Sequence, residues 1–396
     1  MPTGPLAGVR VVDFTTIYSG PIATAILGDQ GADVIKVESA EGDLMRRGRP
    51  RRNRVSASFA MINRNKRSIV IDARTKEGCG ILLDLIKTAD VLVENFRPGV
   101  MTRLGLSYET VKTLNPRLIY ASINGVGSEG PYAKRRVYDA VIQGVSGIAA
   151  LQSDPDSGRP QMINTLICDK ITSLHAAQVI SSALFAREKT GKGQQVEITM
   201  LDASLFFIWP DGMSNFGLVG DDVEHMPFLD HRRFVRQTKD GYVAVMPVKA
   251  AEWEGTFHAL NLVNLWDDER FNTVELRIAN TELLQQLLDE AYAKFSTDEI
   301  CTRLEAEDVP YSLINSRERV LEDPQIQAMG ALIEFEHPHG GAMRQPRPTG
   351  QFHDTPASLH RASPELGEHT AELLGELGRT AEEIASLQEK GVIGLA

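Results

Sequence analysis

Short apolar runs alternate with stretches of helical periodicity through the first two hundred residues. Residues 9–38, VRVVDFTTIYSGPIATAILGDQGADVIKVE, set the pattern. Val9, Val11, Val12 and Phe14 make a buried-strand run. Gly20-Pro21 opens a helix, where proline's fixed φ is tolerated in the first turn, and Gly31 closes it before the next strand at 33–37. Strand, helix, strand is a crossover, so the two strands are expected to lie parallel. The loop after the first strand lacks GxGxxG. It sets Tyr18, Ser19 and the amides around Gly20 at the carboxyl end of a strand, facing a helix N-terminus, where open α/β sheets bind ligands.

The alternation continues. Strands are predicted at 68–72, 90–94, 118–123 and 195–200, and helices at 77–88, 108–114, 138–151, 170–187 and 201–216. Asp154-Pro155-Asp156-Ser157-Gly158 is a turn signal. This order predicts a doubly wound, Rossmann-like parallel sheet. The texture changes near residue 218. A loop to 234 leads to a strand at 241–246 and to helices at 251–260, 281–295 and 297–305, the last with Ser296 and Glu299 at capping-box spacing. The expected organisation is a large α/β domain over 1–220, a smaller helix-rich α+β domain over 225–330, and a segment, 331–396, that returns to the large domain. In that segment we expect a strand at 332–335, a Pro/Gly-rich loop and a helix over 369–389.

Composition narrows the function. The chain has 396 residues, 42% of them apolar and 24% charged, as in ordinary globular proteins. A net charge of −11 argues against nucleic acid or an anionic membrane as partner. Cys79, Cys168 and Cys301 are too scattered for a disulfide framework or a zinc site. MPTGPLAG does not read as a signal peptide, and no apolar stretch reaches the ~20 residues of a membrane span, so a cytoplasmic protein is expected.

Several clusters are candidates for chemistry. Gly125-Val126-Gly127-Ser128-Glu129-Gly130 matches GxGxxG, but Pro131 follows and no helix opens on the glycines, so a plain glycine-rich turn is favoured over a nucleotide site. Arg46, Arg47, Arg49, Arg51, Arg52 and Arg54 form one basic run and Lys134, Arg135 and Arg136 another. Each reads either as a solvated loop or as a phosphate-capturing fork. Asp169, at the entrance of the helix over 170–187, reads first as its N-cap. The same position suits a nucleophile kept ionised by the positive helix end. His175 reads as packed or solvated, and His337-Pro338-His339 as a loop without metal-pair spacing.

These residues, taken together, resemble the class III CoA-transferases, also called the CaiB–BaiF family. The resemblance is carried, in order, by Val12-Asp13-Phe14-Thr15, Ser19-Gly20-Pro21, the run from Gly31 to Glu38, Asn65-Lys66-Arg67-Ser68, the run from Asp90 to Gly99, that from Leu114 to Tyr120, and that from Lys189 to Gln194. It implies a Rossmann-like large domain built from both chain ends, a smaller inserted domain, and an interlocked homodimer. Carried over residue by residue, it assigns coenzyme A contacts to Ile17, Tyr18, Ser19, Ile71, Arg74, Asn95, Phe96, Arg103, Leu104 and Arg136. Tyr138 falls near the reacting centre and Asp169 on the nucleophilic aspartate, which lifts that reading above the N-cap. The implied reaction moves CoA from an acyl-CoA to a carboxylic acid through aspartyl anhydride and aspartyl-CoA thioester intermediates, without a metal.

The sequence also departs from the family. A glycine-rich loop of the formyl-CoA/oxalate branch has no counterpart, so that substrate pair is not assigned. Ser39 stands where relatives place a CoA-contacting arginine, for which one of Arg46 to Arg54 is the candidate substitute. Tyr138, before Asp139, replaces the histidine of the racemase branch, and a phenol of pKa ~10 is a poor proton shuttle. An acyl-CoA racemase or isomerase and a non-catalytic CoA-binding subunit remain the alternatives. Trp209, Met213, Met226, Phe228 and Leu229 read either as an acyl pocket or as core, and His231, Arg232 and Arg233 as a site for a second carboxylate.

Overall fold

A computed structural model describes residues 3–155, 157–225 and 231–396. The chain forms two compact units, Met1–Asp221 with Gly330–Ala396, and Asp222–Met329. The larger unit is built on β1 (Arg10–Asp13), β2 (Asp33–Glu38), β3 (Lys66–Ile71), β4 (Val91–Glu94), β5 (Ile119–Asn124), β6 (Gln195–Thr199) and β7 (Ile393–Gly394). Among the described residues these make one seven-stranded sheet in the order β7-β3-β2-β1-β4-β5-β6. All neighbours run parallel except β7, which pairs antiparallel with β3.

Period-two alternation explains the two-sided burial. On one face Val12, Ile35, Ile69, Leu92 and Tyr120 pack with Ile81, Leu82 and Leu85 of α2 (Lys76–Lys87) and with Leu373 and Leu374. On the other, Val11, Val34, Val91, Ile119 and Ala121 pack with Ala23 and Leu27 of the earlier helix α1 (Ser19–Asp29). Ala176, Ile180 and Ala183 of a long helix, Ile167–Thr190, complete that layer. Small residues on both helices let them pack closely.

The helix expected over 138–151 is two, Asp139–Ser146 and Ile148–Leu151, because Gly147 adopts φ 93° between them. The helix expected over 369–389 likewise breaks at Gly378, giving Thr370–Glu376 and Ala381–Glu389. The Pro/Gly-rich loop after residue 335 is instead a hairpin, Leu332–His337 with Gly341–Pro346. His337 is buried at its turn and accepts from the amides of His339 and Gly340, a structural role. Asp156, in the expected turn, lies outside the described residues.

The smaller unit has a three-stranded antiparallel sheet of Val235–Gln237, Tyr242–Val245 and Tyr311–Leu313. Helices Ala250–Ala259, Thr281–Tyr292 and Thr297–Ala306 bury Phe257, Leu284, Leu288, Ile300 and Leu304 against Val243 and Val245. Ser296 caps the last of these helices at the amide of Glu299.

Candidate active site

In the larger unit the order β3-β2-β1-β4-β5-β6 reverses direction between β1 and β4. The crevice beyond their carboxyl ends is where such sheets take ligands. Two loops leave the sheet there. Asn95, after β4, accepts from the Thr16 amide at 2.9 Å and donates to the Thr16 carbonyl at 2.9 Å, tying the loop after β4 to that after β1. Ile17 is held at φ 73°, a sparse region for a β-branched residue, with its amide 3.3 Å from the Asp43 carboxylate. Asp43 is paired with the fully buried Lys36 at 3.0 Å, and Lys36 also donates to the Thr15 carbonyl. Gly20 is obligatory because a Cβ there would sit 2.3 Å from Thr15 Cβ.

The crevice opens on a cavity of about 610 Å³. Ile17, Tyr18, Ser19, Asn95, Phe96, Arg103, Arg136, Tyr138 and Asp169, all named from the sequence, line it. Ile71, Arg74 and Leu104 do not. Ile71 is 2% exposed in the core, Arg74 is an exposed side chain paired with Asp72, and Leu104 packs on the core. Arg97, Lys134 and Arg135 add positive charge, and Asp169 is the acidic lining residue among those described.

The glycine-rich segment also reaches the cavity, through Gly125, Val126, Gly127 and Ser128. It begins no helix, so it is not a nucleotide fingerprint, yet it is more than a plain turn. Met200, at the start of Met200–Gly212, is a further lining residue that the pattern did not single out. Two members of the first arginine run are engaged elsewhere, and none of the run lines the cavity. Arg46 forks onto Glu38 at 2.6 and 2.8 Å and covers the Phe59 ring, while Arg52 donates to the Gly340 and Ala342 carbonyls.

Asp169 lies in the first turn of Ile167–Thr190 but is not its cap. The cap position is Leu166, which offers no side-chain acceptor. The Asp169 amide instead donates to Asp139 Oδ2 at 3.1 Å. Asp139 starts the helix α3 (Asp139–Ser146), directly after Tyr138, and we label the long helix Ile167–Thr190 α4. Burial, then the Asp139 charge, push the Asp169 carboxyl up to about 6, while the hydroxyl and amide of Ser19 draw it back. A value of about 6 keeps the carboxylate form dominant at neutral pH, the state expected of this position, although burial and the Asp139 charge work against the helix end. Ser19 heads α1, so two helix N-termini meet at this carboxylate. Ser173 Oγ joins them, 2.7 Å from the carbonyl oxygens of both Ser19 and Asp169.

Other expectations fall away from the cavity. His175 packs edge-on against Phe206. Trp209 is exposed and Met213 packs on a satellite core cluster. Met226, Phe228 and Leu229, and the side chains of His231 and Arg232, lie outside the described residues. Among the described residues no helix is long and apolar enough to cross a membrane.

A doubly wound sheet with a cation-rimmed switch-point cavity and one carboxylate in it defines an α/β protein with a ligand site at the carboxyl ends of its strands. The model of CoA-transferase family III matches residues 6–370, and the chain belongs to that family. A succinate–glutarate CoA-transferase from Agrobacterium fabrum is 34% identical over 94% of this chain and 96% of its own. A formyl-CoA:oxalate CoA-transferase from Streptomyces avermitilis is 33% identical over 99% of this chain and 100% of its own. The crystal structure of a CaiB/BaiF family protein from Brucella suis superposes with a TM-score of 0.82 at 35% identity, covering 95% of this chain and 100% of that one.

Proposed function

We propose that this protein is an acyl-CoA:carboxylate CoA-transferase whose nucleophile is Asp169. The observation that carries the reading is the placement of that carboxylate at the meeting of two helix N-termini, in a cavity whose other charged lining residues are cationic. Asp169 attacks the thioester carbonyl, forming a C–O bond as the C–S bond breaks, and becomes a mixed anhydride beside the expelled thiolate. The aspartyl carbonyl then takes the thiolate, releasing the donor acid and leaving an aspartyl thioester. An incoming carboxylate attacks that thioester and regenerates an anhydride. Return of the thiolate to the new acyl group frees Asp169. Each step exchanges one acyl bond for another and no proton is gained or lost.

The chain's own residues supply three things. Arg97, Arg103 and the Lys134–Arg136 run suit the phosphates of coenzyme A, for which arginine forks are well shaped. Keeping the thiolate in the cavity makes its return effectively unimolecular. Amides in the first turn of α1, near Ser19 and Gly20, face the region where tetrahedral oxyanions form.

The racemase alternative needs a titrating pair at Tyr138 and Asp139. Tyr138 is 65% exposed, and both oxygens of Asp139, 2% exposed, are taken by the Asp169 amide and by Gln143, the latter at 2.6 Å, which supports a structural place for Asp139. We also propose a cytoplasmic, interlocked homodimer. Exposed Phe185, Phe206 and Phe207 on helices of the larger unit support a partner chain there. The acceptor class rests on the relatives' printed substrates, small carboxylic and dicarboxylic acids.

Incubation with acyl-CoA followed by hydroxylamine is expected to convert Asp169, and no other carboxylate, to a hydroxamate detectable by peptide mass spectrometry. An unmodified Asp169 in protein that turns over would overturn the reading.

A further inference from the structure

We propose that Asp139 is the positioning residue of the Asp169 nucleophile: a buried surrogate cap that fixes the first turn of α4 and sets a negative charge beneath the attacking carboxylate. This deepens the proposed function and rests on Asp169 being acylated.

The argument starts from the helix end. A helix leaves its first amides without intrahelical partners, and a Ser, Thr, Asp or Asn cap normally satisfies one of them. Leu166 cannot do so. The acceptor comes from thirty residues upstream, as Asp139 Oδ2, 3.1 Å from the Asp169 amide. The other oxygen of Asp139 accepts from Gln143 Nε2 at 2.6 Å, and Gln143 Oε1 accepts from the Ile163 amide at 2.9 Å. Asp139 and Gln143 are each 2% exposed. The chain of contacts from Asp169 through Asp139 and Gln143 to Ile163 thus fastens the approach to α4, and its first turn, onto α3. Tyr138 precedes Asp139, so the carboxylate that holds the Asp169 amide sits beside the other residue expected at the reacting centre.

An uncharged acceptor would cap the turn as well. A carboxylate does more, because no ion pair to Asp139 forms among the described residues, and its charge acts on Asp169. The other groups facing Asp169 are Lys170 and Cys168 beside it on α4 and the Ser19 hydroxyl on α1, with Arg136 and Tyr138 lining the same cavity. Burial and Asp139 together leave Asp169 more basic than an ordinary carboxylate. That has a chemical use in the mixed anhydride. Thiolate attack at the aspartyl carbonyl expels the substrate carboxylate, whereas attack at the substrate carbonyl expels Asp169. The less basic carboxylate leaves more readily, so a basic Asp169 biases the anhydride toward the aspartyl thioester.

Two variants separate cap from charge. Asp139→Asn keeps an acceptor oxygen and removes the charge; Asp139→Ala removes both. Carboxyl ¹³C NMR of the free protein, with the Asp169 signal assigned by its loss in Asp169→Asn, is expected to show the Asp169 midpoint falling by ~1 pH unit in Asp139→Asn. The rising limb of the acylation rate should move with it, and kcat above pH 8 should stay within about tenfold. Asp139→Ala is expected to lose ~100-fold in kcat with KM for acyl-CoA changed by only a few-fold. If that variant does not fold, Asp139→Ser, which cannot span the gap, carries the same expectation. An unmoved midpoint in Asp139→Asn overturns the role of the charge, and wild-type kcat in Asp139→Ala or Asp139→Ser overturns the cap. The titration needs no turnover, so it reads Asp139 even where Asp169 proves not to be acylated, and failed acylation of the wild type strikes the function alone.

Discussion

Asp13 and Asp169 are both desolvated within the larger unit, the first wholly and the second in part, and they are put to opposite uses. Asp13, at the end of β1, is fully buried and 2.9 Å from Lys66, with hydroxyls of Thr15 and Thr24 on its oxygens. Burial alone would raise its pKa, but Lys66 and then Lys36 outweigh it and hold the carboxyl below its usual range. Asp169 is only half-buried, yet desolvation is the largest influence on it, the Asp139 carboxylate acts in the same direction, and its pKa rises to about 6. Desolvation is common to both. The sign of the neighbour decides whether a buried carboxylate is scaffold, locked by lysines, or a reactive group with charge to donate.

The sharpest break between the two is functional. Asp169→Ala should lower CoA transfer by ~10⁴-fold or more while the thermal midpoint holds or rises. Asp13→Ala should act first on stability, lowering the thermal midpoint, because Lys66, already pushed down to about 8 by burial, loses the carboxylate that favours its charged form. A coupled CoA-exchange assay beside a melting curve reads both, and Asp169→Ala retaining a few per cent of wild-type rate would end the distinction.

Lys66→Met tests the scaffold half. It removes the ammonium that also donates to the Pro21 carbonyl and Asn63 Oδ1, each at 2.9 Å, and leaves Asp13 with only the more distant Lys36. Breaking a buried pair from one side costs about 3–5 kcal/mol, which urea unfolding would register as a lowered midpoint. A loss under 1 kcal/mol would mean that Lys36 and the threonines suffice to keep Asp13 ionised.

The reactive half carries the opposite sign. With a folded pKa near 6 against an ordinary 3.8, Asp169 binds more protons in the native than in the unfolded protein between those values. Stability therefore falls as pH rises through that window, and the penalty is complete above about pH 6. Asp169→Asn removes it. The variant should be more stable than wild type by about 1–3 kcal/mol at pH 8 and indistinguishable near pH 3.5, by chemical denaturation at both. An equal difference at the two pH values would show that packing, not charge, is responsible.

How much of this the sequence disclosed follows from how local each signal is. β1, α1 and β2 were legible because alternation, a helix-opening Gly-Pro and a closing glycine all lie within thirty residues. The strand order, and with it the switch point, needed the three-dimensional pairing. Asp169 was singled out, first as an N-cap and then, through the resemblance, as a nucleophile; Asp139, which accepts from its amide, was not, because capping rules see only adjacent residues. The two basic runs look alike as text. In one, Arg46 and Arg52 are held by Glu38, Phe59 and backbone carbonyls, and the other lines the cavity, a difference set by tertiary position. The hairpin after residue 331 was hidden because its second strand contains Gly341 and ends in Pro346.

The finest test compares one hydroxyl at each carboxylate. Thr24 Oγ1 lies 2.7 Å from Asp13 Oδ2, and Ser19 supplies the corresponding contact to Asp169. Thr24→Val should cost about 1 kcal/mol of stability and leave Asp13 ionised, since two lysines still face it. Ser19→Ala should barely change stability but move the rising limb of the acylation rate upward by roughly half a pH unit, because a hydrogen bond that favours the charged form is lost while burial and Asp139 remain. The serine amide stays in place, which limits the shift. If the limb instead moved down, or Thr24→Val made Asp13 titrate in the same range as Asp169, neighbour charge would not be what separates the two sites.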